Sequence, residues 1–379
     1  MGKGKNNNRF VQQNKAQYVP KLKNKFYPMV SLCTPTFNRR PFIPMAIECF
    51  KNQTYPKDRM EWIIVDDGTD SVEDLFKTAA EDYPQIRYIR CPKRMNLGEK
   101  RNYMHTFVKG TIIVYMDDDD YYPPERVEHA VDTLQNNREA MCAGSSEIYV
   151  YFKNLGNRMV QCGPYGPNHA TAGTFAFRTE LLKTSRYEDH AALAEEKHFL
   201  KNYTVPFVQL DPLKTILVFS HEHNTFDKRK LLQNANPQVI KDSDKTVEHF
   251  IRRPEEAEIK RFFLQDIDAL LENYSPGTPD KKPDVLEQIR KIELEREKMM
   301  QQHNQQQQNQ NQGKLMMQRP GEKPRVLTGD EITGVLNQQK NEIFRLQTEN
   351  EELKKQLHIF TSQSIVSASK SEPEAEYDS

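Results

Sequence analysis

Short apolar segments alternate with helical segments between residues 28 and 116, and this alternation constrains the fold more than any other feature. The predicted strands are Met29–Cys33, Glu61–Asp66, Ile86–Arg90 and Thr111–Met116. The predicted helices between them are Pro41–Asn52, Ser71–Asp82 and Glu99–Lys109. Strands that alternate with helices in this way predict an α/β fold with a doubly wound, mainly parallel sheet and helices on both faces.

The alternation becomes less regular after Asp120. Helices are predicted at Glu125–Asn136 and Ala191–Lys201, and short strands at Ile148–Lys153, Gly173–Phe177 and Thr215–Phe219. We expect this half of the domain to have mixed sheet content and to face a second substrate.

Composition divides the chain into five regions. They are a basic, disordered tail at 1–27, an α/β domain at 28–272, a linker at 273–328 with a charged helix and a Gln/Asn-rich segment, a coiled coil at 329–362, and an acidic tail at 363–379. The first 25 residues contain no acid and the last eight are acidic, so both ends are typical of solvated tails.

The segment Glu331–Phe360 has the heptad spacing of a coiled coil. Its repeating positions alternate in steps of four and three: Ile332, Leu336, Gln339, Ile343, Leu346, Asn350, Leu353, Leu357 and Phe360. One Asn among Leu and Ile positions is how parallel two-stranded coils fix their register. We predict a parallel coiled coil, formed with a second copy or with another protein. A single helix packed on the main domain is the alternative.

Composition and charge exclude several functional classes. Lysine plus arginine and aspartate plus glutamate number 54 each, so no net charge attracts nucleic acid. The five cysteines form no Cys-x-x-Cys pair, which argues against a zinc site or a disulfide framework. No secretory signal or transmembrane segment is evident. We expect a cytoplasmic protein with no nucleic-acid partner, whose basic arm leaves peripheral membrane association open.

Four consecutive aspartates, Asp117–Asp120, follow the predicted strand Thr111–Met116. In parallel α/β sheets, ligands bind beyond the carboxyl ends of the strands. Adjacent carboxylates repel one another, and a divalent cation that also bridges to phosphate oxygens removes this conflict. Asp117 and Asp119 point the same way in an extended segment and would share one site. The alternative is a solvated acidic loop that caps the helix near Glu125.

Two further motifs lie at the ends of predicted elements. Asp66 and Asp67 end the second strand, where they would accept hydrogen bonds from a base or a ribose. An Asx turn that caps the next helix is the alternative, and both interpretations can hold. Lys100 and Arg101 lie in the first turn of the helix after Gly98, which suits a phosphate or a polar base edge. An ordinary helix start with surface cations fits this motif equally well.

Two late motifs carry candidate acid–base and metal-binding groups. Glu195 and Glu196 are predicted on a helix, where adjacent side chains diverge by about 100°, so one of them would face the cleft as a general base. His221 and His223 follow the strand Thr215–Phe219 and can point to one side, as ligands of a metal or of phosphate. Solvated surface residues are the alternative in both cases.

Together these motifs resemble those of glycosyltransferase family 2, whose members have the GT-A fold. The matching segments are VSLCTPTFNR at Val30–Arg39, VDDGT at Val65–Thr69, GEKRN at Gly98–Asn102, IIVYMDDDDYYPPERV at Ile112–Val127 and EEKHFL at Glu195–Leu200. The resemblance covers about half of the chain, 28–225. Each motif is modest alone, but five in this order are specific. A GT-A, Rossmann-like domain with a C-terminal helical or coiled-coil extension is therefore implied.

The resemblance also implies roles for individual residues. The nucleotide-sugar ligands would be Thr34, Pro35, Thr36, Asn38, Asp66, Asp67, Lys100, Arg101, Asp117 and Asp118. Asp117 and Asp119 match the family's DxD pair, and the ligands of Mn²⁺ or Mg²⁺ would be Asp119, Asp117, His221 and His223. Glu196 matches the second acid of the family's base motif. The family usually has Asp there, which leaves Glu195 as the alternative base.

The activity implied by the resemblance is inverting transfer of a sugar from a nucleoside-diphosphate sugar, with UDP favoured, to a hydroxyl of a glycan or protein. One alternative is a sugar nucleotidyltransferase, although the first loop lacks an obvious Gly-rich, basic signature. Another is a coiled-coil scaffold with a degenerate transferase domain, against which the intact acids argue. If the transferase interpretation holds, truncation after about Tyr274 should leave a smaller active monomer.

Overall fold

The computed structural model describes residues 25–192, 196–224, 226–233, 235–311, 316–318 and 323–368. Most of the predicted basic tail, the end of the acidic tail and the candidate base Glu195 lie outside these ranges. By its contacts the chain divides into two compact units, Met1–Lys291 and Ile292–Ser379. The first unit therefore extends beyond the domain boundary expected at 272.

The strands of the first unit form two sheets. In chain order they are β1 (Val30–Thr36), β2 (Met60–Asp66), β3 (Ile86–Arg90), β4 (Ile112–Tyr115), β5 (Cys142–Gly144), β6 (Ile148–Phe152), β7 (Arg158–Cys162), β8 (Ala176–Arg178), β9 (Phe207–Gln209), β10 (Leu217–Phe219) and β11 (Ile240–Asp242). The central, seven-stranded sheet has the order β3-β2-β1-β4-β8-β5-β9, and the second sheet has the order β10-β6-β7-β11. Strands β1 to β4 are parallel to one another, whereas β8 runs antiparallel to β4. The predicted mainly parallel α/β fold is confirmed.

Helices cover both faces of the central sheet. Those of the first unit are α1 (Ile43–Lys51), α2 (Glu73–Asp82), α3 (Leu97–His105), α4 (Arg126–Asn136), α5 (Glu196–Phe199), α6 (Ala257–Arg261) and α7 (Ile267–Glu272), and α8 (Pro283–Asn311) continues into the second unit. Side chains of α1, α2 and α4 pack on one face of the sheet, and those of α3 and α5 pack on the other.

The two cores follow from the period of two along the strands. Leu32 of β1 and Trp62 of β2 are register partners and face α1 and α2, whereas the next pair, Cys33 and Ile63, faces α3. All four are at most 1% exposed. A strand buried on both faces reads as a continuous apolar run, which is why the four parallel strands could be predicted from the sequence.

The elements that differ from prediction are short or interrupted. Strands β5 and β9 have only three residues each, too few to show a period. Helix α6 does not begin until Ala257, because Pro254 restricts the preceding backbone and residues 254–256 form a single 3₁₀ turn. The helix expected at 191–201 is described only as α5, and it ends before three residues with positive φ, Lys201, Asn202 and Tyr203.

The second unit contains the rest of α8, the short strands β12 (Met316–Met317) and β13 (Arg325–Val326), and α9 (Gly329–Ala368). Helix α8 continues to Asn311 through most of the Gln/Asn-rich segment, where composition indicated a spacer. Helix α9 includes the whole segment of predicted heptads. None of the helices in the described parts of the chain is both long and apolar enough to cross a membrane.

Candidate functional site

A polar cavity of about 170 Å³ opens beyond the carboxyl ends of β1 and β4, the edge at which ligands bind in parallel sheets. It is lined by Pro35, Thr36, Phe37, Arg39, Arg94, Met95, Leu97, Lys100, Arg101, Asp117, Asp118, Asp119, Ala192, Lys282, Asp284 and Val285. The aspartate run and the Gly98–Asn102 motif, which are remote in sequence, thus meet at one place.

Asp119 is the most strongly paired carboxylate of the aspartate run. An Arg39 Nη2 lies 3.0 Å from its Oδ2, and His221 Nε2 lies 3.4 Å from the same oxygen. Burial alone would raise the pKa of Asp119, but the charge of Arg39 and the contact with His221 hold it well below the usual range. Asp119 is therefore an anion at neutral pH, and it lies beside the Arg39 guanidinium.

Asp118 and Asp120 are buried beside Asp119 and respond in the opposite direction. Burial and the charge of Asp119 raise the pKa of Asp118 to about 7. Burial also raises the pKa of Asp120 to about 8, although Lys228 opposes the shift. Asp120 Oδ1 accepts the Phe219 N–H at 3.1 Å, which ties the loop to β10, whereas Asp118 Oδ2 has no hydrogen-bond partner among the described residues.

Asp117 is the most exposed member of the run, with 28% of its side chain accessible. Its backbone N–H donates to the Tyr122 hydroxyl at 2.8 Å, and Arg101 Nη2 lies 3.8 Å from its Oδ1. Gly173 lies directly behind this carboxylate, since a Cβ at position 173 would stand 2.6 Å from Asp117 Oδ2. The carboxylate is thus directed toward the cavity and Arg101.

The cations of the Gly98–Asn102 motif are both buried. Lys100 donates to the Asp67 carboxylate and, at 2.9 Å, to the Thr36 carbonyl oxygen. The Arg101 guanidinium lies 4.3 Å from the centre of the Tyr115 ring, where a cation–π contact supports it. These contacts fix the two cations at the wall of the cavity rather than on a solvated surface.

Several predicted nucleotide ligands have internal roles. Thr34 donates to the Met116 carbonyl at 2.6 Å and accepts from Trp62 Nε1 at 2.8 Å. Asn38 has a φ of +53° and accepts the Asp70 N–H at 2.9 Å. Asp66 binds the turn before α2, as described below. Their roles as ligands stay predictions. Of the four ligands predicted in the first loop, Pro35 and Thr36 line the cavity.

The two histidines occupy different surroundings. His221 contacts Asp119, accepts from Asn224 Nδ2 at 2.8 Å and packs on Phe42 with ring centres 4.7 Å apart. Burial lowers the pKa of His221 to about 3, so the ring is neutral and can act as a ligand. Neither His221 nor His223 lines the cavity. The His223 carbonyl accepts from Arg39 at 2.8 Å, and burial lowers the pKa of the His223 ring to about 4.

Glu196, the preferred candidate base, begins α5 and is partly exposed. It is not among the residues that line the cavity, and its charge acts on Tyr203. Glu195 lies outside the described residues. The assignment of the base therefore stays a prediction.

Three cations of the site were missing from the sequence interpretation. Arg39 follows Asn38 in the first motif, and its position there was a signal that could have been used. Arg94, whose guanidinium lies 4.3 Å from the Phe37 ring centre, precedes the Gly98 motif by four residues. Lys282 lies in the Pro-rich linker, where no sequence pattern points to a ligand.

The donor set suits a divalent cation only in part. Among the residues that the structure describes, no three His, Cys, Asp or Glu side chains converge to hold a metal ion. Asp119 and His221 do meet, and the unpartnered Asp118 Oδ2 lies one residue away. Magnesium is commonly held by one or two carboxylates together with substrate phosphates, so an incomplete set of protein ligands fits such an ion.

The fold and the cavity define an α/β protein with clustered acids and cations at the carboxyl edge of a parallel sheet. Residues 31–193 match the model of glycosyl transferase family 2. This segment holds all the cavity-lining residues except Lys282, Asp284 and Val285. The match and the names of the relatives below support a family 2 glycosyltransferase.

Relatives match parts of the chain. An uncharacterized glycosyltransferase of Rickettsia bellii is 30% identical over 130 residues, which cover 32% of this chain and 18% of that protein. The chondroitin synthase of Escherichia coli is 29% identical over 162 residues, 40% of this chain and 22% of that protein. An uncharacterized glycosyltransferase of Methanocaldococcus jannaschii is 28% identical over 187 residues, which cover 45% of this chain and 63% of that protein. The chain thus spans less than two thirds of each of these relatives.

Two solved structures are similar at low sequence identity. A mannosyltransferase from Pyrobaculum calidifontis in complex with GDP-Man and Mn²⁺ is 16% identical, covers 69% of this chain and 74% of its own, and has a TM-score of 0.44. The S. aureus TarS fragment in complex with UDP-GlcNAc is 17% identical, covers 51% of this chain and 59% of its own, and has a TM-score of 0.40.

Proposed function

We propose that this chain transfers a sugar from a nucleoside-diphosphate sugar to a hydroxyl acceptor, with inversion at the anomeric carbon. The observation that carries the proposal is the cavity in which Lys100 and Arg101 lie with Asp117–Asp119, inside the segment that matches the family. A diphosphate needs cations around its oxygens, and a row of carboxylates suits a divalent cation that accompanies it.

We propose Mn²⁺ or Mg²⁺ as the cation, held by Asp119 and His221. Asp117 and His223 are the other predicted ligands, and the Asp118 Oδ2 atom is an additional oxygen donor. When bound, the ion would neutralise negative charge on the donor's diphosphate. Arg39 now contacts Asp119 at 3.0 Å, so the ion and this guanidinium would compete for one carboxylate.

The chain's own cations would act on the same charge. Lys100 is held by Asp67 and by the Thr36 carbonyl, and Arg101 is held by its contact with Tyr115. Groups fixed in this way stabilise a developing charge without reorganisation during the reaction. We therefore assign Lys100 and Arg101 to the phosphate oxygens of the donor and of the departing diphosphate.

We propose that Glu196 removes the proton from the acceptor hydroxyl as it attacks the anomeric carbon. General-base catalysis contributes about 10²- to 10⁴-fold. Glu196→Gln should therefore keep donor binding, measured as a rise in melting temperature, and lose transfer by at least a hundredfold. If Glu195→Gln is the inactive variant and Glu196→Gln is active, the base is Glu195.

A UDP-sugar is the favoured donor, because acids at a strand end, such as Asp67, accept hydrogen bonds from the imide of uracil. Asp67 accepts from Lys100 and from the Met95 N–H, the latter at 2.7 Å, and these contacts fix its carboxylate after β2. We also propose a cytoplasmic location. All five cysteines are buried thiols, and thiols without disulfides fit a reducing compartment.

The test is to incubate the purified full-length chain with UDP- and GDP-sugars and Mn²⁺, and to identify the phosphate product. A glycosyltransferase releases the nucleoside diphosphate by transfer or slow donor hydrolysis. A nucleotidyltransferase makes the nucleotide sugar from a nucleoside triphosphate and a sugar phosphate, so it releases no nucleoside diphosphate from these donors. EDTA and a metal-free control report the need for the ion. If no nucleotide sugar binds or turns over with any ion, the proposed function is wrong.

We further propose that α9 forms a parallel coiled coil with a second copy of the chain. Its seam side chains are exposed: Leu336, Ile343, Leu346, Leu353 and Leu357 are 50–65% accessible. In a parallel pair, Glu349 would lie opposite Lys354 of the second copy, whereas an antiparallel pair would bring Glu and Lys next to like charges. Analytical ultracentrifugation should show a dimer. Leu346→Asp with Leu353→Asp should give a monomer, and Glu351→Lys, outside the seam, should not.

A further inference from the structure

The segment 274–288, called the closing segment here, lies over the cavity although it is outside the part of the chain that matches the family. Its first half is tied to the loops after β1 and β2. Asn38 Nδ2 donates to the Pro276 carbonyl oxygen at 2.8 Å, and the Tyr274 hydroxyl donates to Asp70 Oδ2 at 2.8 Å. The contact at Gly277 is so close that a Cβ there would stand 2.7 Å from the Asn38 carbonyl oxygen.

The second half of the closing segment is tied to two other loops. Arg94 donates to the Lys281 carbonyl oxygen at 2.6 Å and forms an ion pair with Asp284. The Ala192 N–H donates to Gln288 Oε1 at 2.9 Å. Four loops of the α/β domain thus hold this segment, and it forms part of the cavity wall rather than a solvated linker.

Lys282 is the residue that the closing segment places in the cavity. It is 5% exposed, although lysine is seldom buried without an ionic role. Burial lowers the pKa of Lys282 to about 7, and the charges of Arg39, Asp119, Asp118 and Lys100 act on its amine. Asp118 and Asp119 share one guanidinium, that of Arg39, at 3.7 and 3.0 Å, and Lys282 lines the same cavity as these acids.

We propose that Lys282 binds the diphosphate of the nucleotide-sugar donor, opposite Lys100 and Arg101, and that the closing segment is a structural part of the donor site. The inference rests on the proposed function, because it takes a diphosphate as the ligand of the cavity. Cations from two parts of the chain, α3 and the residue before α8, then contact the diphosphate.

The experiment compares the full-length chain with Lys282→Met, Lys282→Arg and Lys281→Met. The last is a matched control, because Lys281 is the adjacent residue and its side chain is 55% exposed in a surface pair with Asp280. Binding of UDP, UMP, GDP and inorganic pyrophosphate, each with Mg²⁺, is measured by calorimetry. The melting temperature without ligand establishes that each variant is folded.

We expect Lys282→Met to weaken the binding of UDP, GDP or pyrophosphate about tenfold or more and the binding of UMP much less. Lys282→Arg should stay within about threefold of the parent, and Lys281→Met should be unchanged. If Lys282→Met binds diphosphates as the parent does, the inference is wrong and the proposed function stands. If Lys282→Met does not fold, the test is the folded Lys282→Arg variant. A loss of diphosphate binding larger than about tenfold in that variant would contradict the proposal that the charge at position 282 binds the diphosphate. If the parent binds none of the diphosphates, both the inference and the proposed function fail.

The proposal reverses one expectation from composition. The Pro-rich segment after Tyr274 was interpreted as a linker, so truncation there was expected to leave an active monomer. With Lys282 and the contacts of Gly277 removed, we instead expect such a truncated chain to lose diphosphate binding.

Discussion

Strands β2 and β4 both end in consecutive aspartates at the same edge of the sheet, yet their carboxylates are bonded in opposite ways. Asp66, after β2, accepts from the Gly68 N–H at 2.8 Å, from the Val72 N–H at 3.3 Å and from the Tyr88 hydroxyl at 2.5 Å. Asp118, after β4, is also buried, but it has an oxygen without a hydrogen-bond partner among the described residues.

The difference separates an acid that stabilises the fold from acids that we propose bind a ligand. A buried carboxylate whose oxygens accept several hydrogen bonds is satisfied within the protein and holds its loop in place. Adjacent buried carboxylates whose pKa values are driven apart, as in Asp118 and Asp119, store unfavourable electrostatic energy. The proposed cation and the phosphates that accompany it would release that energy on entering the cavity.

The largest expected effect is on activity, and it comes from the aspartate run after β4. Asp119→Ala removes the carboxylate shared by Arg39 and His221, and with it the main ligand of the proposed cation. We expect sugar transfer to fall about a thousandfold, the scale seen when a fixed group that stabilises transition-state charge is removed. Release of nucleoside diphosphate from the donor at saturating Mn²⁺ is the measurement.

Asp58→Ala is the control for Asp119→Ala, because the Asp58 side chain is 78% exposed and remote from the cavity. It should retain full activity. Near-normal transfer by folded Asp119→Ala would show that the aspartate run does not hold the cation, and the two strand ends would then both be structural.

The next effect is on stability, and it comes from Asp66 at the end of β2. Asp66→Asn keeps the shape of the side chain but replaces one acceptor oxygen by a donor amide, which cannot accept the Val72 N–H and the Tyr88 hydroxyl. We expect a loss of about 2 to 3 kcal/mol in the free energy of unfolding, because buried donors lose their partner. Urea denaturation gives this value. An unchanged free energy would mean that the turn after β2 does not depend on the carboxylate.

The sequence predicted most of the fold because the four parallel strands are continuous apolar runs that end in turn residues. It also predicted that Lys100, Arg101 and the aspartate run meet, since carboxyl ends of parallel strands share one edge. It did not distinguish Asp66 from Asp118, because both follow a buried strand and only the surrounding N–H groups and hydroxyl separate them. Lys282 was missed because its place in the cavity depends on tertiary contacts that leave no local pattern.

A buried histidine next to the end of β4 should make stability depend on pH. His105 Nε2 lies 2.6 Å from the hydroxyl of Tyr115, the last residue of β4, and burial together with the charge of Arg101 lowers the pKa of His105 to about 3. The unfolded chain takes up a proton near pH 6.5 and the folded chain does not, so stability falls as pH falls below about 6.5.

We expect His105 to contribute about 1.5 kcal/mol to the loss of stability between pH 7 and pH 5. The measurement is urea denaturation at both values for the parent and for His105→Gln, which cannot take up the proton. The difference between the two pH values should be smaller in the variant by that amount. An equal difference would show that His105 is protonated in the folded chain as well.

The smallest effect, and the one with the opposite sign to Asp66→Asn, is expected for Asp118→Asn. Because burial and Asp119 raise the pKa of Asp118 to about 7, the folded chain binds this proton more tightly than the unfolded chain. Stability is then lost as pH rises from about 4 through 7, and the asparagine, which has no charge, avoids that loss. We expect Asp118→Asn to be more stable than the parent by about 1 kcal/mol at pH 8 in EDTA. This is less than the pKa shift alone would give, because asparagine also loses the ion pair with Arg39. The gain should vanish near pH 4. With Mn²⁺ and a nucleoside diphosphate present, the parent should gain more stability than the variant, since the charge is then paired. A destabilised Asp118→Asn at pH 8 would place Asp118 with Asp66 among the acids that stabilise the fold, and the contrast between the two strand ends would not hold.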